Sequence, residues 1–370
     1  MPTCLSTASR KKKIEILFPF CGDRLGGSHL STIELIKHLD KRTFNVSVVC
    51  LRDGKLAPFL AAQGVPCQTL DFSKRLRNFI FRKIQMGFDF ISAVRLCRQH
   101  RSCIVHCNEL YIKLLFAVPG RILCKNIWHQ RTMVTANKLR WLMPFLCDKI
   151  ICVSQSVYET LSPRGKAKAV VIYNPVSVAP PKSRQATQRL PFQGCLVGLA
   201  SRIVPQKGIE AFVRGASNVL RQKRRTKPWF IIAGNGAMQK KVSGLIKKQP
   251  RIQIIPFYHP VESFIRQCRI LVAPSLEEGF GRTLVEAMLC GVPVLASDIP
   301  AHREISQNGT YAKLVKPGCA VSLATGIANL IRERPSQENL LRARKFAQSK
   351  FSPARHVQIM QGVYQDLLIH

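Results

Sequence analysis

Two carboxylates on either side of a glycine loop carry the chemistry that this sequence suggests. Glu278 and Glu286 lie eight residues apart, and the run 279–281, Gly-Phe-Gly, follows the first of them. A helix that begins directly after a buried strand presents free backbone N–H groups and its positive dipole end, which suit a phosphate. A carboxylate would repel that phosphate, so we expect the two glutamates to hold neutral hydroxyls. A ligand that combines sugar hydroxyls with a diphosphate meets both demands.

Two strands and one helix must position this loop. Ile270 to Pro274 form an apolar run suited to a buried strand, and Val294 to Ala296 form a second one. Between them, apolar residues recur at the helical period: Leu284, Val285, Ala287, Met288 and Leu289. The segment Gly291-Val292-Pro293 ends the pattern. This order of elements predicts a helix N-terminus at the carboxyl edge of a parallel sheet.

The motif as a whole resembles that of a known enzyme family. Glu-x7-Glu within EGFGxxxxEAM, after a strand ending in Pro-Ser, resembles the nucleotide-sugar motif of the retaining family 4 (group 1) glycosyltransferases, which have the GT-B fold. The resemblance implies that Glu278 orients the transferred sugar and that Glu286 contacts the ribose of the donor. It further implies that these residues bind the donor: Gly279, Phe280, Gly281, Arg282, Thr283 and Glu286. A capping box, Thr283-x-x-Glu286, is the structural alternative for Glu286, whereas Glu278 has no such alternative.

Residues from both halves of the chain extend the resemblance. Gly26 and Gly27 follow the first strand-like run, and the resemblance implies that a backbone N–H near Gly27 meets the donor diphosphate; a simple tight turn is the alternative. His129, at the end of NIWH, matches a histidine that contacts the donor sugar near the reacting carbon, although a lone histidine is usually structural. Residues 299–303, IPAHR, depart from the family pattern by replacing its glycine-rich turn.

Two cations between a strand and a helix suit the leaving group. Arg202 and Lys207 can hold a diphosphate, the arginine by its fork and the lysine as a point charge, and the family has this pair at the same place. The chain contains no Asp-x-Asp, so we predict a metal-independent transfer with the nucleotide sugar as donor and no further cofactor. The sharpest metal candidate is Cys103, His106 and Cys107, but alternation along one strand would send these side chains to different faces.

The order of the elements predicts a doubly wound α/β protein, and the resemblance implies the fold class, two Rossmann-like domains facing across a cleft. In the first half a helix is predicted from Ser28 to about Leu39, and strand-like runs recur at residues 14–20, 45–51, 66–71, 103–107, 126–129, 149–153 and 169–173. We predict an acceptor-side domain over 1–176, a linker over 177–193, a nucleotide-sugar-binding domain over 194–352, and a C-terminal helix over 353–370 that crosses back to the first domain.

Length and composition agree with two globular domains. The chain has 370 residues and is 46% hydrophobic. No apolar run approaches the roughly 18 residues of a membrane-spanning helix, and the N-terminus lacks a signal-peptide core. The 14 cysteines include no C-x-x-C pair, so we expect reduced cysteines in a cytoplasmic protein.

The unusual feature of the composition is charge. A net charge of +37, divided almost evenly between the two halves, predicts a polyanionic partner: an acidic membrane surface, an anionic glycolipid or a nucleic acid. The stretch 74–101 combines four phenylalanines with many basic residues, which suggests interfacial membrane contact; a solvated face over a buried aromatic stripe is the alternative. Its basic residues are Lys74, Arg75, Arg77, Arg82, Lys83, Arg95, Arg98 and Arg101.

The resemblance implies a retaining glycosyltransferase that moves a sugar from a nucleotide diphosphate sugar to a hydroxyl, and together with the charge we take it to predict a lipid-linked or cell-envelope glycan as acceptor, as in lipopolysaccharide or polysaccharide biosynthesis. We expect it at the inner face of the membrane, bound peripherally to anionic lipid. A sugar-nucleotide epimerase or hydrolase on the same fold is the alternative enzyme. A nucleic-acid-binding protein is a third hypothesis, but charge alone suggests it and no nucleic-acid-binding signature is present.

Overall fold

Two parallel sheets organise the chain. The computed structural model describes residues 13–23, 26–70, 79–100, 103–134, 137–180, 189–223, 227–258 and 260–369. The first sheet contains β1 (Ile14–Phe20), β2 (Phe44–Cys50), β3 (Gln68–Thr69), β4 (Ile104–Cys107), β5 (Lys125–Gln130), β6 (Lys149–Cys152) and β7 (Ala169–Val171), in the order β3-β2-β1-β4-β5-β6-β7. The second contains β8 (Leu196–Ala200), β9 (Trp229–Ala233), β10 (Ile252–Ile255), β11 (Ile270–Ala273), β12 (Val294–Ser297) and β13 (Lys313–Val315), in the order β10-β9-β8-β11-β12-β13.

Helices connect the parallel strands, as parallel pairing requires. Around the first sheet these are α1 (Gly27–His38), α2 (Leu56–Ala62), α3 (Phe79–Gln99), α4 (Leu110–Leu115), α5 (Ala117–Leu123), α6 (Asn137–Leu146), α7 (Gln155–Glu159) and α8 (Pro163–Ala167). The second half contains a 3₁₀ turn (Pro205–Lys207), α9 (Ile209–Arg221), α10 (Gln239–Ile246), α11 (Val261–Ile265), α12 (Arg282–Cys290), α13 (Pro300–Ser306), α14 (Ala320–Arg332), α15 (Gln337–Lys350) and α16 (Pro353–Ile369). The predicted doubly wound architecture is confirmed.

Alternation along the strands separates the two faces of each sheet. In β4, the side chains of Val105 and Cys107 enter one buried core, whereas Ile104 enters the core on the other face. The first of these cores also contains residues of the second sheet, among them Leu271. The two sheets therefore share apolar packing, and the loops at their facing edges are held close together.

The C-terminal helix crosses back to the first domain, as predicted. α15 packs against α12 of the second sheet's layer, whereas α16 packs against α1. Tyr364 of α16 is fully buried beside Phe44, and its hydroxyl lies 2.7 Å from Nδ1 of His106. Within the described ranges, no helix combines the length and the apolar composition that a membrane span requires.

Two predicted segments lie partly outside the residues that the structure describes. The predicted strand over 66–71 contains the two-residue β3, and the helical stretch over 74–101 contains α3. Of the basic residues predicted to face a membrane, Lys74, Arg75, Arg77 and Arg101 lie outside the described residues, as do the side chains of Arg82 and Lys83. Part of the predicted linker, 181–188, also lies outside them, and the domain boundaries stay a prediction.

Candidate active site

The glycine loop before α12 lies in close contact with the first sheet's loops, at the boundary between the two sheets. Gly281, the residue before the helix, has φ +94°, a conformation that side chains rarely adopt. A Cβ on Gly279 would lie 2.0 Å from the carbonyl oxygen of Arg131, which follows β5 of the first sheet. Ser154 donates a hydrogen bond of 2.5 Å to the carbonyl of Gly279. The loop therefore needs glycine at both positions, and it brings the N-terminus of α12 to the boundary between the domains.

The side chain of Phe280 is buried in the apolar core that the two sheets share. It is 4% exposed and packs edge-on against Phe351 and beside Tyr173, within the shared core. The donor contact predicted for Phe280 stays a prediction, and only backbone atoms of this residue are available for it.

Lys207 and Glu278 meet at this loop although they lie 71 residues apart. The Lys207 ammonium donates to Oε1 of Glu278, and the Ser275 hydroxyl donates to the same oxygen at 2.9 Å. Burial opposes ionisation of Glu278 most strongly, but the charge and hydrogen bond of Lys207 outweigh it and hold the pKa of the carboxyl below its usual value. The expectation that Glu278 lacks a structural role is thus wrong, because it neutralises a half-buried ammonium.

Interlocked turns bring Lys207 to the glycine loop. Gly208 has φ +63°, and a Cβ there would lie 1.9 Å from the carbonyl oxygen of Pro274. A Cβ on Gly234 would lie 1.8 Å from the carbonyl oxygen of Ser201. The turns after β8, β9 and β11 therefore approach one another more closely than side chains would permit, which explains the glycines in KG and GNG.

A small cavity lies beneath this cluster. Its solvent volume is about 20 Å³, which is room for about one water molecule. The polar residues that line it are Ser201, Lys207, Ser275, Glu278, Thr283 and His302. Arg202 is not among them: its side chain is exposed, and the described part of the chain gives it no ion pair.

Glu286 is buried and paired rather than open. Its side chain is 7% exposed and accepts a hydrogen bond of 3.1 Å from Nε of Arg282. Burial raises the pKa of this carboxyl, and the Arg282 charge opposes the rise. The capping-box alternative is wrong, since Gly281 precedes the helix and the Thr283 hydroxyl donates instead to the carbonyl of Ala200 at 3.3 Å.

Arg282 crosses the domain boundary. Its Nη1 donates to the Ser31 hydroxyl at 3.0 Å and to the carbonyl of Pro175 at 2.9 Å, both in the first half of the chain. A Cβ on Gly27, the first residue of α1, would lie 3.4 Å from Cδ of Arg282. Gly26 precedes α1 in extended backbone, and its N–H donates to Nδ1 of His29 at 3.1 Å. The predicted glycine turn of the first domain thus faces the start of α12.

His129 is fully buried in a network of its own. Its Nδ1 lies 3.0 Å from Nε2 of His106 and 3.3 Å from Nη2 of Arg131. Burial, reinforced by the Arg131 charge, holds the pKa of His129 well below its ordinary value, so the imidazole is neutral. Its Nε2 has no hydrogen-bond partner among the described residues. No described contact joins His129 to Lys207 or Glu278.

Arg131 is the residue that the sequence interpretation missed. Its guanidinium donates to the Asn108 and Asn174 side-chain carbonyls, at 3.0 and 2.5 Å, and to the Thr32 hydroxyl at 3.0 Å. All these acceptors are neutral. Burial, together with the nearby Arg282 charge, lowers the pKa of Arg131 to about 9. Its position two residues after His129 at a strand end was the available signal.

Comparison with known proteins agrees with this architecture. A family model described as "Glycosyltransferase Family 4" matches residues 25–179, and one described as "Glycosyl transferases group 1" matches residues 194–333. An uncharacterized glycosyltransferase of Methanocaldococcus jannaschii, MJ1178, is 30% identical over 224 residues, which is 60% of each chain. The O-antigen biosynthesis glycosyltransferase WclY of Escherichia coli is 28% identical over 43% of this chain and 45% of its own length. Both matches cover less than two thirds of the relative.

Solved structures share the fold along nearly the whole chain. HepE of Anabaena, in complex with UDP and glucose, has a TM-score of 0.78 at 21% identity, covering 95% of this chain and 99% of its own. A glycosyltransferase of Rickettsia africae has a TM-score of 0.76 at 19% identity, covering 96% and 99%. At these identities the likeness concerns the fold, and it confirms the expected GT-B arrangement.

Proposed function

Because the chain belongs to the family 4 (group 1) glycosyltransferases, we propose that it transfers a sugar from a nucleotide diphosphate sugar to a glycan hydroxyl and retains the configuration at the anomeric carbon. The observation that carries this proposal is the Lys207–Glu278 pair, which lies at the N-terminus of α12 and faces the glycine turn of the first domain across Arg282. A cation for the diphosphate and a carboxylate for sugar hydroxyls thus lie side by side.

The donor diphosphate lies, in this proposal, against the free N–H groups at the start of α12. Lys207 turns from Glu278 to the phosphates, and the exposed side chain of Arg202 joins it. Glu278 is then free to accept hydrogen bonds from hydroxyls of the transferred sugar. Arg282 engages Oε1 of Glu286, and the described contacts leave Oε2 for a ribose hydroxyl.

The transfer step needs no covalent enzyme intermediate in this proposal. The acceptor oxygen bonds to the anomeric carbon on the face from which the phosphate departs, as the bond between that carbon and the phosphate oxygen breaks. The departing phosphate takes the acceptor's proton. Lys207, Arg202 and the helix dipole stabilise the negative charge that develops on the diphosphate, and Glu278 and His129 hold the sugar in position. His129 is enclosed in the described conformation beside His106, Arg131 and His356, so its part requires these surrounding side chains to rearrange.

We also propose that residues 1–176 form the acceptor side and residues 194–352 the donor side. WclY, by its name, serves O-antigen biosynthesis, which supports a lipid-linked or cell-envelope glycan as acceptor. The acceptor would then be held at a membrane, and the enzyme must come to it.

A surface of the first domain suits such a membrane. Large apolar side chains are exposed on four neighbouring helices, α3 to α6, and we call this set the apolar surface: Met86, Phe88, Phe90, Ile91, Leu110, Leu114, Val118, Ile122, Trp141, Leu142 and Phe145. Arg95 and Arg98 line a groove with Phe90 and Ile91, and the Arg164 guanidinium lies 4.2 Å from the ring centre of Phe145. Exposed aromatic residues beside cations are the composition of an interfacial membrane contact.

Vesicle sedimentation tests the membrane contact. The protein should sediment with anionic but not zwitterionic vesicles, and salt should release it because the Debye length falls from about 10 Å at 0.1 M to about 3 Å at 1 M. Replacing Trp141 and Phe145 with Ser should weaken sedimentation and leave donor binding intact. Val321 and Leu341, equally exposed on the second domain, provide the matched control pair. If both pairs of substitutions reduced sedimentation equally, the proposed membrane contact would be refuted. It would also be refuted if the parent bound RNA tightly and did not bind vesicles.

The transferase proposal itself is tested with UDP-, GDP- and ADP-linked hexoses. One nucleotide series should bind, and its sugar should pass to an acceptor glycan. Release of free sugar at the same rate with and without an acceptor would instead favour a hydrolase, and interconversion of the donor sugar would favour an epimerase.

A further inference from the structure

His302 is a buried histidine, and the hydrogen-bond partner of one of its two ring nitrogens is visible in the structure. It belongs to α13 and is 0% exposed. Its Nδ1 lies 2.9 Å from the backbone carbonyl of Ser297. A carbonyl oxygen can only accept, so Nδ1 carries the hydrogen and, in the neutral ring, Nε2 carries a lone pair. This Nε2 has no hydrogen-bond partner among the described residues.

The unpartnered nitrogen belongs to the candidate donor site. His302 lines the small cavity together with Lys207, Glu278 and Thr283. A Cβ on Gly281 would lie 3.4 Å from Nε2, so any side chain at that position would crowd the buried nitrogen. His302 also lies within residues 299–303, the segment in which the sequence departs from the family pattern.

The chemistry of the nitrogen limits what it can bind. Burial holds the pKa of His302 below its ordinary value, although the Glu278 charge works in the opposite direction, so the ring is neutral near pH 7. A neutral Nε2 is an acceptor, and a phosphate oxygen is also an acceptor, so the two repel each other. The partner that satisfies a buried acceptor is an O–H or N–H group.

We propose that Nε2 of His302 accepts a hydrogen bond from a hydroxyl of the transferred sugar and thereby helps to select the donor. This inference rests on the proposed transferase function. Glu278 and His302 then form two acceptors on one side of the sugar, whereas Lys207 on the other side takes the phosphates. A permanently bound water molecule, for which the cavity has room, is the competing occupant of this position.

Two substitutions separate the role of Nε2 from that of Nδ1. Asparagine at 302 keeps an N–H near the position of Nδ1 for the Ser297 carbonyl and removes the acceptor at Nε2. Glutamine places a side-chain oxygen near the position of Nε2. His356 offers a matched control, since its Nδ1 lies 2.7 Å from the carbonyl of Tyr173, its Nε2 also lacks a described partner, and it lies outside the cavity.

Calorimetry measures the affinity for a nucleoside diphosphate and for the corresponding sugar nucleotide. UDP and UDP-glucose serve as the pair, or the nucleotide series that the parent binds. The difference between the two affinities reports the sugar contact alone. His302→Asn should weaken the sugar nucleotide about tenfold, the scale of one buried hydrogen bond, and leave the nucleoside diphosphate unchanged. His302→Gln should recover most of the loss, and His356→Asn should retain the parent's preference for the sugar nucleotide. In ¹⁵N-histidine NMR of the parent, which needs no variant, the Nε2 resonance of His302 should move with UDP-glucose and not with UDP.

The possible outcomes distinguish a failure of the His302 inference from a failure of the proposed transferase function. If the parent binds no nucleotide sugar, the transferase proposal fails and the inference fails with it. If the parent binds one but His302→Asn weakens UDP and UDP-glucose equally, or weakens neither, the role of His302 alone is overturned. An Nε2 resonance that ignores the sugar nucleotide would overturn it as well and would point to the water molecule.

Discussion

Glu278→Gln combined with Lys207→Met distinguishes a catalytic pair from a structural one. Glutamine keeps the shape of Glu278 and an oxygen for the Ser275 hydroxyl but removes the negative charge that neutralises Lys207. The single change should therefore lower both stability and turnover. The double change removes the ammonium as well, so no uncompensated charge remains.

The expected sizes follow from burial. The two side chains are 19% and 17% exposed, between the fully buried pairs whose disruption costs about 3–5 kcal/mol and the exposed pairs worth about 0.2–1 kcal/mol. We expect Glu278→Gln to lower the free energy of unfolding by about 1–2 kcal/mol. Transfer should fall by at least about 100-fold, the scale of one lost transition-state contact.

The assay follows urea unfolding and initial transfer rate in the parent, both single variants and the double variant. Stability should return toward the parent in the double variant, while transfer stays low because both functional groups are absent. Glu210→Gln is the matched control, since it breaks an exposed Lys–Glu pair of the same domain and should change neither quantity appreciably. A double variant that regains transfer together with stability would refute the catalytic assignment, as would near-normal turnover in Glu278→Gln.

Two further predictions concern the leaving group and a buried lysine. EDTA should leave transfer largely intact, because in the proposed function Arg202, Lys207 and the helix N-terminus hold the diphosphate; activity that vanished and returned only with Mg²⁺ or Mn²⁺ would contradict this. Burial lowers the pKa of Lys113 from 10.5 to about 7, so between these values the unfolded chain binds a proton that the folded protein lacks, and stability must rise with pH. From pH 7 to pH 9 the parent should gain about 2 kcal/mol relative to Lys113→Met; parallel urea-unfolding profiles of the two proteins would show that Lys113 is charged when folded.

The strands were predictable because buried parallel strands appear as continuous apolar runs. β1 spans Ile14–Phe20, as predicted, and β6 begins at the predicted residue. The start of α12 was equally visible, since a glycine loop between an apolar run and a helical period has few other interpretations. The short edge strand β3 was less visible because both of its residues, Gln68 and Thr69, are exposed.

The pairings within the site depend on contacts between distant segments, which local patterns do not contain. Glu278 meets Lys207 only because two turns after parallel strands interlock through Gly208. Arg131 is held by side chains from three separate segments, so its position after His129 carried too little information to single it out.

The membrane hypothesis likewise used only a local sequence pattern. The sequence pattern identified α3 by its charge and aromatic residues. The exposed Trp141 and Phe145 of α6 are recognised as part of the same surface only when the structure places α6 near α3 and α5.

Hydrogen–deuterium exchange with and without the bound sugar nucleotide tests the central claim, that the donor lies between the 3₁₀ turn and the start of α12. We expect the donor to slow exchange at the backbone amides of residues 281–284 and 203–208, with smaller protection at Gly27 on the facing turn. Protection confined to other segments, or none at a saturating donor concentration, would contradict the account.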